Sequence, residues 1–163
     1  MKNFINKNKM KKGFMMVEVI IATSIMLIIV MATMSVVTKV ISISYRSLHL
    51  AQASYLLDEG GEAIRIIRDN SWSNISSSSV DVDYYLVFVG NTWTLSTTPV
   101  QTDLFTRTVN ISPVNRDVSL GSIVQNGGNL DIGTKLVKID VSWQESGQTI
   151  SKSLSFYISD LFS

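Results

Sequence analysis

The sequence predicts an α+β protein in which a long N-terminal α-helix packs under a small antiparallel β-sheet head, and the first half of that helix can span a membrane. Three patterns predict this: an apolar run over residues 14–38, an amphipathic helical pattern over residues 39–69, and alternating β-forming residues over residues 70–163. Residues 1–13 form a short basic leader ahead of them.

The positive charge of the N-terminus is concentrated in the leader. Five lysines and no acidic residue lie there, although the whole chain carries a formal charge of only +1. Beyond residue 13, nine Lys and Arg stand against 13 Asp and Glu, a balance that favours solubility rather than nucleic-acid binding. We therefore expect no nucleic acid to be bound directly.

The apolar run over residues 14–38 contains a single charged residue, Glu18. A helix of this length covers roughly 38 Å, which exceeds the hydrocarbon core of a bilayer, about 30 Å. The lysines of the leader predict a cytoplasmic N-terminus, with the rest of the chain on the far side. The run is longer than the apolar region of a secretory signal, and a carboxylate inside it costs about 2.5 to 3.5 kcal/mol. Both features argue against an ordinary signal peptide.

Residues 11–18 read KKGFMMVE. This segment resembles the cleavage and methylation motif of type IV prepilins and type II secretion pseudopilins, although Met15 and Met16 differ from the commoner Thr-Leu pair. The resemblance implies a pilin fold, cleavage between Gly13 and Phe14, N-methylation of Phe14, and a role for Glu18 in subunit register. Cleavage would create an α-amine about one helical turn from Glu18, so an amine of this or a neighbouring subunit could neutralise the carboxylate.

The resemblance also implies the function and the partners. The chain would be a structural subunit of a type IV pilus or a type II secretion-like pseudopilus, and the lack of a cysteine-closed loop favours a minor or initiating subunit. Its partners would be the prepilin peptidase/methylase, other pilin subunits through the N-terminal helix, and the inner-membrane assembly platform. It would begin as a single-pass cytoplasmic-membrane protein and end in an extracellular or periplasmic filament.

Two other readings of the N-terminus remain open. In one, the same helix is a permanent membrane anchor for an extracytoplasmic binding module. In the other, an ordinary signal peptidase releases a soluble domain by cutting near residues 42–44, where Ser-Ile-Ser is a poor match to the small-residue site. The residue at which the mature chain begins distinguishes all three.

The helical pattern continues beyond the apolar run. Apolar residues recur at spacings of three and four and define one face: Leu50, Ala53, Leu57, Gly60, Ile64 and Ile67. Charged residues occupy the opposite face: Asp58, Glu59, Glu62, Arg65, Arg68 and Asp69. Glu62 and Arg65 have the spacing of a helical ion pair. Because glycine destabilises a helix interior, Gly60-Gly61 favours either a bend or the close packing of a strand, and we favour close packing.

The head is predicted to consist of strands joined by turns. Residues 84–89 and 92–96 flank Gly90-Asn91 and form a predicted hairpin. A third strand over residues 104–111 is predicted to end before Pro113.

The C-terminal part of the head is predicted to contain a long loop and a final hairpin. The loop covers residues 116–133, from which Leu120, Ile123 and Val124 would reach the core. The strand of residues 136–143 and the strand of residues 150–158 pair around Glu145-Ser146-Gly147-Gln148. This pair resembles the C-terminal hairpin of minor pilins and pseudopilins.

No residue pattern supports catalysis or a cofactor, so we expect a protein that is not an enzyme. The only histidine, His49, has no cysteine partner with which to form a metal site and no pattern of a Ser/His triad. Asp81 and Asp83 lack the set of oxygen ligands that calcium requires. The three tryptophans, Trp72, Trp93 and Trp143, are interpreted as core rather than as a surface for a sugar or partner.

Overall fold

The computed structural model describes the backbone of residues 8–80 and 82–161, and the side chains of residues 15–80 and 82–161. The leader residues 1–7 and Asp81 therefore lie outside the described part. By internal contacts the chain divides into two compact units, Met1–Leu48 and His49–Ser163. The chain is an α+β protein with one long N-terminal helix, apolar in its first part, whose residues after Leu48 pack against antiparallel sheets in the second unit, which confirms the predicted fold class.

The described residues form two helices and seven strands. Helix α1 spans Asn8–Asn70, and the short helix α2 spans Ser73–Ser76. The strands are β1 Tyr85–Val89, β2 Thr92–Ser96, β3 Gln101–Thr102, β4 Phe105–Arg116, β5 Ile123–Val124, β6 Asn129–Glu145 and β7 Gln148–Ser159.

The strands form two antiparallel sheets. Strands β1 and β2 make a two-stranded hairpin, as predicted from Gly90-Asn91. The larger sheet has the order β3-β4-β6-β7, with β5 paired to the end of β4. The final hairpin pairs Glu145 with Gln148, so the predicted C-terminal hairpin is also confirmed.

The core of the second unit lies between one face of α1 and one face of the larger sheet. The helix contributes Ala53, Leu57, Ala63, Ile64 and Ile67. Alternate residues of the long strands meet them: Phe105, Val109, Ile111, Val137, Ile139, Val141, Trp143 and Ile158. The residues spaced two apart in the strands and about 3.6 apart in the helix therefore face the same core.

The inward face of the helix differs from the prediction at its first position. Leu50 is 38% exposed, so its assignment to the core face was wrong. His49 instead lies half-buried, with its ring centroid 6.3 Å from that of Phe105. The reason is helical geometry, since His49 stands four residues before the fully buried Ala53 and shares its side of the helix.

Gly60-Gly61 lies in continuous helix, and Gly60 allows the sheet to approach closely. A Cβ at Gly60 would stand 3.2 Å from Ile139 Cδ1 and 3.3 Å from Arg107 Cδ, while one at Gly61 would be 3.7 Å from Leu154 Cδ2. The predicted close packing of a strand on this position is confirmed.

Arg107 connects the helix, the sheet and the first hairpin. It points from β4 into the core and is 8% exposed. Its guanidinium donates to Glu59 Oε2 at 2.9 Å and to the Leu56 carbonyl oxygen at 3.0 Å, and it stands 5.5 Å from the centre of the Trp93 ring. Glu59, predicted on the solvent side of the helix, thus compensates a buried charge that would otherwise be costly.

Two predictions for the middle of the head were wrong. Strand β4 does not end at Pro113 but continues to Arg116 through a register shift between Pro113 and Val114. An irregularity of this kind accommodates a residue that lacks a backbone N–H. The predicted loop of residues 116–133 contains β5 and the start of β6, and Leu120 is 82% exposed instead of reaching the core. Ile123 and Val124 are half-buried, so the prediction that they reach the core is partly correct for these two residues.

The strands around this turn are held by an ion pair. Gly128 has a φ of +70°, and a Cβ there would lie 2.3 Å from the Arg116 carbonyl oxygen, so glycine lets the chain pass close to the end of β4 before Asn129 pairs with Arg116. Arg116 Nε donates to Asp131 Oδ2 at 2.6 Å. A hydrogen bond from Thr134, and then one from Arg116, hold the pKa of Asp131 below its ordinary value.

Candidate functional site

The segment that resembles a processing site lies on helix α1. Gly13 and Phe14 fall within the helical backbone that begins at Asn8, and Glu18 follows one turn later. The structure describes side chains from Met15 onward, so the surroundings of the Gly13 and Phe14 side chains lie outside it. Cleavage at Gly13 and methylation of Phe14 remain predictions.

Glu18 carries the only charge between Met15 and Thr38. Its side chain is exposed, and within the described residues no ion pair or hydrogen bond involves it. Its neighbours along the helix, Val17 and Val19, are also exposed. Among residues 15–48, whose side chains the structure describes, the carboxylate therefore has no partner that could compensate its charge in apolar surroundings.

The surface of the first unit is apolar over an unusual length. Every side chain from Met15 to Leu48 is exposed. Hydroxyl groups in this stretch donate to helix carbonyls one turn earlier: Thr23 to Val19, Ser24 to Ile20, Thr33 to Ile29, Thr38 to Met34 and Ser44 to Val40. These hydroxyls are satisfied within the helix and so do not require water.

An apolar stripe continues past the end of the predicted membrane span. We define this seam by residues spaced three and four apart: Val30, Met34, Val37, Ile41, Tyr45 and Leu48, all of them exposed. Lys39 and Arg46, seven residues apart, lie together on another side of the helix. The helix after Thr38 thus keeps an apolar side that is uncovered in the isolated chain, although exposed Ile43 lies near Lys39 and Arg46 on the other side.

The helix is long enough and apolar enough to cross a membrane. This property agrees with the coarser part of the predicted localisation, a membrane-compatible N-terminal segment. No protein-family model, curated protein or solved structure matches the chain. The interpretation of the segment therefore rests on its own residues.

The other candidate residues of the sequence lie in the second unit and do not converge. His49 contacts the Phe105 ring, and its buried Nδ1 has no hydrogen-bond partner in the part of the chain that the structure describes. Asp83 is exposed, and Asp81 lies outside the described residues. Across residues 8–80 and 82–161, no three His, Asp or Glu side chains are grouped as a metal site would require.

The three tryptophans belong to the core or pack against it. Trp143 is buried, and its ring centroid lies 5.6 Å from that of Phe105. Trp72 and Trp93 are half-buried against the same core. Their interpretation as core residues is confirmed, but Trp93 also lines an open cavity, which sequence patterns did not indicate.

The sequence predicted an amphipathic helix over residues 39–69, but its apolar face was assigned only from Leu50 onward, so the seam between Thr38 and Leu48 was missed. The signal was present in the spacing of Ile41, Tyr45 and Leu48, but Lys39 and Arg46 interrupt the apolar run and hide it from a simple hydropathy reading. A helical-wheel projection that extends across Thr38 reveals it.

Proposed function

We propose that this chain is a structural subunit of a filament of the type IV pilus or type II secretion pseudopilus kind. In this proposal a prepilin peptidase cuts between Gly13 and Phe14, Phe14 is methylated, and subunits then stack through their apolar helices. The heads form the outer surface, and a minor or initiating position fits the cysteine-free C-terminal hairpin. The partners are the peptidase/methylase, an inner-membrane assembly platform and other subunits.

One observation carries the proposal: the exposed apolar helix is longer than a membrane anchor needs. From Met15 to Leu48 the helix rises roughly 51 Å, whereas a bilayer core is about 30 Å thick. Even at a tilt of about 40°, the steep end of the usual range, a crossing takes roughly 26 residues. About eight residues then remain outside the hydrocarbon, and they carry the last part of the seam. These apolar side chains would be exposed to water unless another protein surface covers them.

Glu18 supports the same proposal. A carboxylate in an apolar run is retained when it has a function, because its insertion is costly. The α-amine created at Phe14 would lie about one helical turn from it, and an amine at this distance favours the charged carboxylate. Pairing between neighbouring subunits would define their axial register, whereas a permanent anchor has no use for the carboxylate.

The first test is the N-terminus of the mature chain. The protein is produced with an active prepilin peptidase and, separately, with an inactive one, and its intact mass and N-terminal sequence are measured. We expect a peptidase-dependent chain that begins at methylated Phe14. A chain that still begins at Met1 would favour the permanent anchor, and a chain that begins after Ser44 would show that the helix is a signal peptide.

The second test asks whether copies of the chain cover the seam. Since the protein has no cysteine, single substitutions give unique cross-linking sites. Tyr45→Cys lies on the seam, and Ser47→Cys lies about 160° around the helix as the matched control. In cells that contain the peptidase, the assembly platform and other subunits, each cysteine carries a thiol-linked photo-cross-linker, and we expect Tyr45→Cys to be cross-linked to other subunits and Ser47→Cys far less.

The cross-linking result separates assembly from anchoring. Equal and low cross-linking at both positions would argue against helix packing between copies, even if cleavage at Gly13 occurred. Loss of the Tyr45→Cys cross-link with an inactive peptidase would link packing to processing.

A further inference from the structure

Strand β7 forms one edge of the larger sheet. It pairs with β6 along its whole length without a register shift, and among the described residues no strand pairs with its other side. In an edge strand every second residue has a backbone N–H and C=O that point away from the sheet and lack a ladder partner. At about 3.4 Å per residue, the free edge of this strand is roughly 40 Å long.

The hairpin between β6 and β7 determines which backbone groups face outward. Its two turn residues have φ of +51° and +77°, as in a type I′ turn, so the flanking Glu145 and Gln148 form a hydrogen-bonded pair. At the other end, Asp160 N donates to the Gly133 carbonyl oxygen at 2.9 Å, in the same alternation. Even-numbered residues of β7 therefore bond to β6. The backbone groups that face outward belong to the odd-numbered residues: Thr149, Ser151, Ser153, Ser155, Tyr157 and Ser159.

The edge has none of the features that usually prevent edge strands from pairing, namely proline, a bulge or an outward-facing charge. Strand β7 contains no proline, and its register is continuous. Its one charged residue, Lys152, is even-numbered, and its Nζ donates to Ser54 Oγ on helix α1 at 2.5 Å. Residues 153–159 contain no charge, proline or glycine. The edge is therefore open to a further strand.

The two faces of β7 indicate what such a strand would look like. On the side of α1, Leu154 and Phe156 are half-buried against the core, and the Arg65 guanidinium lies 5.9 Å from the centre of the Phe156 ring. On the opposite face, the exposed residues are mainly small and polar, and the Ser153 hydroxyl donates to Asp140. A strand added at this edge would extend the core with one set of alternate side chains and face solvent with the other.

We propose that the free edge of β7 binds an extended segment of another protein, in which apolar and polar residues alternate, as an additional strand of the sheet. In this mode of recognition the backbone hydrogen bonds provide most of the affinity. The outer edge of β4 offers no comparable site, because β3, Tyr84 and β5 already pair with it.

The symmetry of the contact favours another protein over a second copy of this chain. A contact between the β7 edges of two copies is isologous and closes at two copies, whereas a filament subunit needs a contact that repeats. Only this choice of partner rests on the proposed function. The free edge itself is a feature of the head.

The test measures amide hydrogen exchange by NMR on the full chain in lipid nanodiscs. The probe is the end-capped peptide KTVTITVTK, added up to about 1 mM. Without it, amides that bond to β6 should exchange slowly and the outward amides quickly. We expect the probe to slow exchange at Ser151, Ser153, Ser155 and Tyr157 by at least about tenfold. The control peptide KTVPIPVTK, in which proline prevents strand formation, should have no effect.

Two substitutions at one position locate the contact. Ser155→Pro removes one outward N–H at a place where an edge strand tolerates proline, and we expect it to weaken the binding of the probe at least about tenfold. Ser155→Ala keeps the N–H and is the matched control, with a change of less than about twofold. Thermal unfolding of both variants is measured alongside. If Ser155→Pro does not fold, the exchange pattern of the native chain decides the question.

Three results would overturn the proposal. The probe could leave the outward amides unprotected, the proline-containing peptide could protect them equally, or a folded Ser155→Pro could bind the probe as well as the native chain. Protection that appears without the probe and rises with protein concentration would assign the edge to a second copy and refute the choice of another protein. None of these results affects cleavage at Gly13, so they are distinct from a failure of the proposed filament function.

Discussion

Adding one methyl group to Gly60 or to Gly61 should have opposite effects on the stability of the head. Both glycines are buried within helix α1, and alanine in a helix interior is favoured over glycine by about 1 kcal/mol. The two positions therefore gain the same propensity. They differ in what the new Cβ meets, so the pair isolates the effect of packing.

At Gly61 the new Cβ lies 3.7 Å from Leu154 Cδ2, which is ordinary contact, so Gly61→Ala should raise the free energy of unfolding by about 1 kcal/mol. At Gly60 it lies 3.2 Å from Ile139 Cδ1 and 3.3 Å from Arg107 Cδ, which is tighter than ordinary contact, so these two side chains must give way by a few tenths of an ångström. Overpacking of this kind costs about 1 to 3 kcal/mol. Gly60→Ala should therefore lower stability by up to about 2 kcal/mol, and the two variants should differ by about 1 to 3 kcal/mol.

Urea unfolding followed by tryptophan fluorescence measures this difference. All three tryptophans lie in the second unit, so the signal reports the head rather than the membrane-compatible helix. The midpoints should move in opposite directions at an unchanged m-value, which shows that stability has altered and the surface exposed on unfolding has not. If Gly60→Ala stabilises the head as much as Gly61→Ala, the close approach of the strand to Gly60 is not a packing constraint.

Three further predictions concern polar groups. Glu59→Gln should lower the free energy of unfolding by about 1 to 3 kcal/mol, because it removes the counter-charge of buried Arg107. The control Glu62→Gln, in an exposed ion pair, should lower it by less than about 1 kcal/mol. Chemical unfolding of the two variants measures the difference. The folded head lowers the pKa of Asp131, so its ionised carboxylate stabilises the fold. The free energy of unfolding of the native chain should exceed that of Asp131→Asn by its full amount above about pH 5, and the difference should shrink as the pH falls below about 4. A constant difference down to about pH 2 would contradict this. His49→Leu removes a buried nitrogen without a partner among the described residues and should keep or raise the thermal midpoint; a large drop would reveal a partner for Nδ1.

The sequence was sufficient to predict the elements whose signals are local. The apolar run predicted the helix, the alternation of residues 136–143 and 150–158 predicted the final hairpin, and Gly90-Asn91 predicted the first one. Each of these depends on the periodicity of nearby residues or on the turn residues between them. The motif around Gly13, Phe14 and Glu18 is also local, and its functional meaning stays a prediction because it concerns a peptidase and other subunits.

Features that depend on residues distant in sequence were settled only by the tertiary structure. Glu59 looks like a solvent-facing charge until β4 brings Arg107 beside it, 48 residues away. Pro113 signals a strand end, yet β4 continues because a register shift in the pairing with β6 accommodates the missing N–H. The cavity beside Trp93 forms from α1, α2 and β2 together. A sequence records which side chains are apolar, charged or turn-forming, but contacts between separate elements depend on how those elements pack.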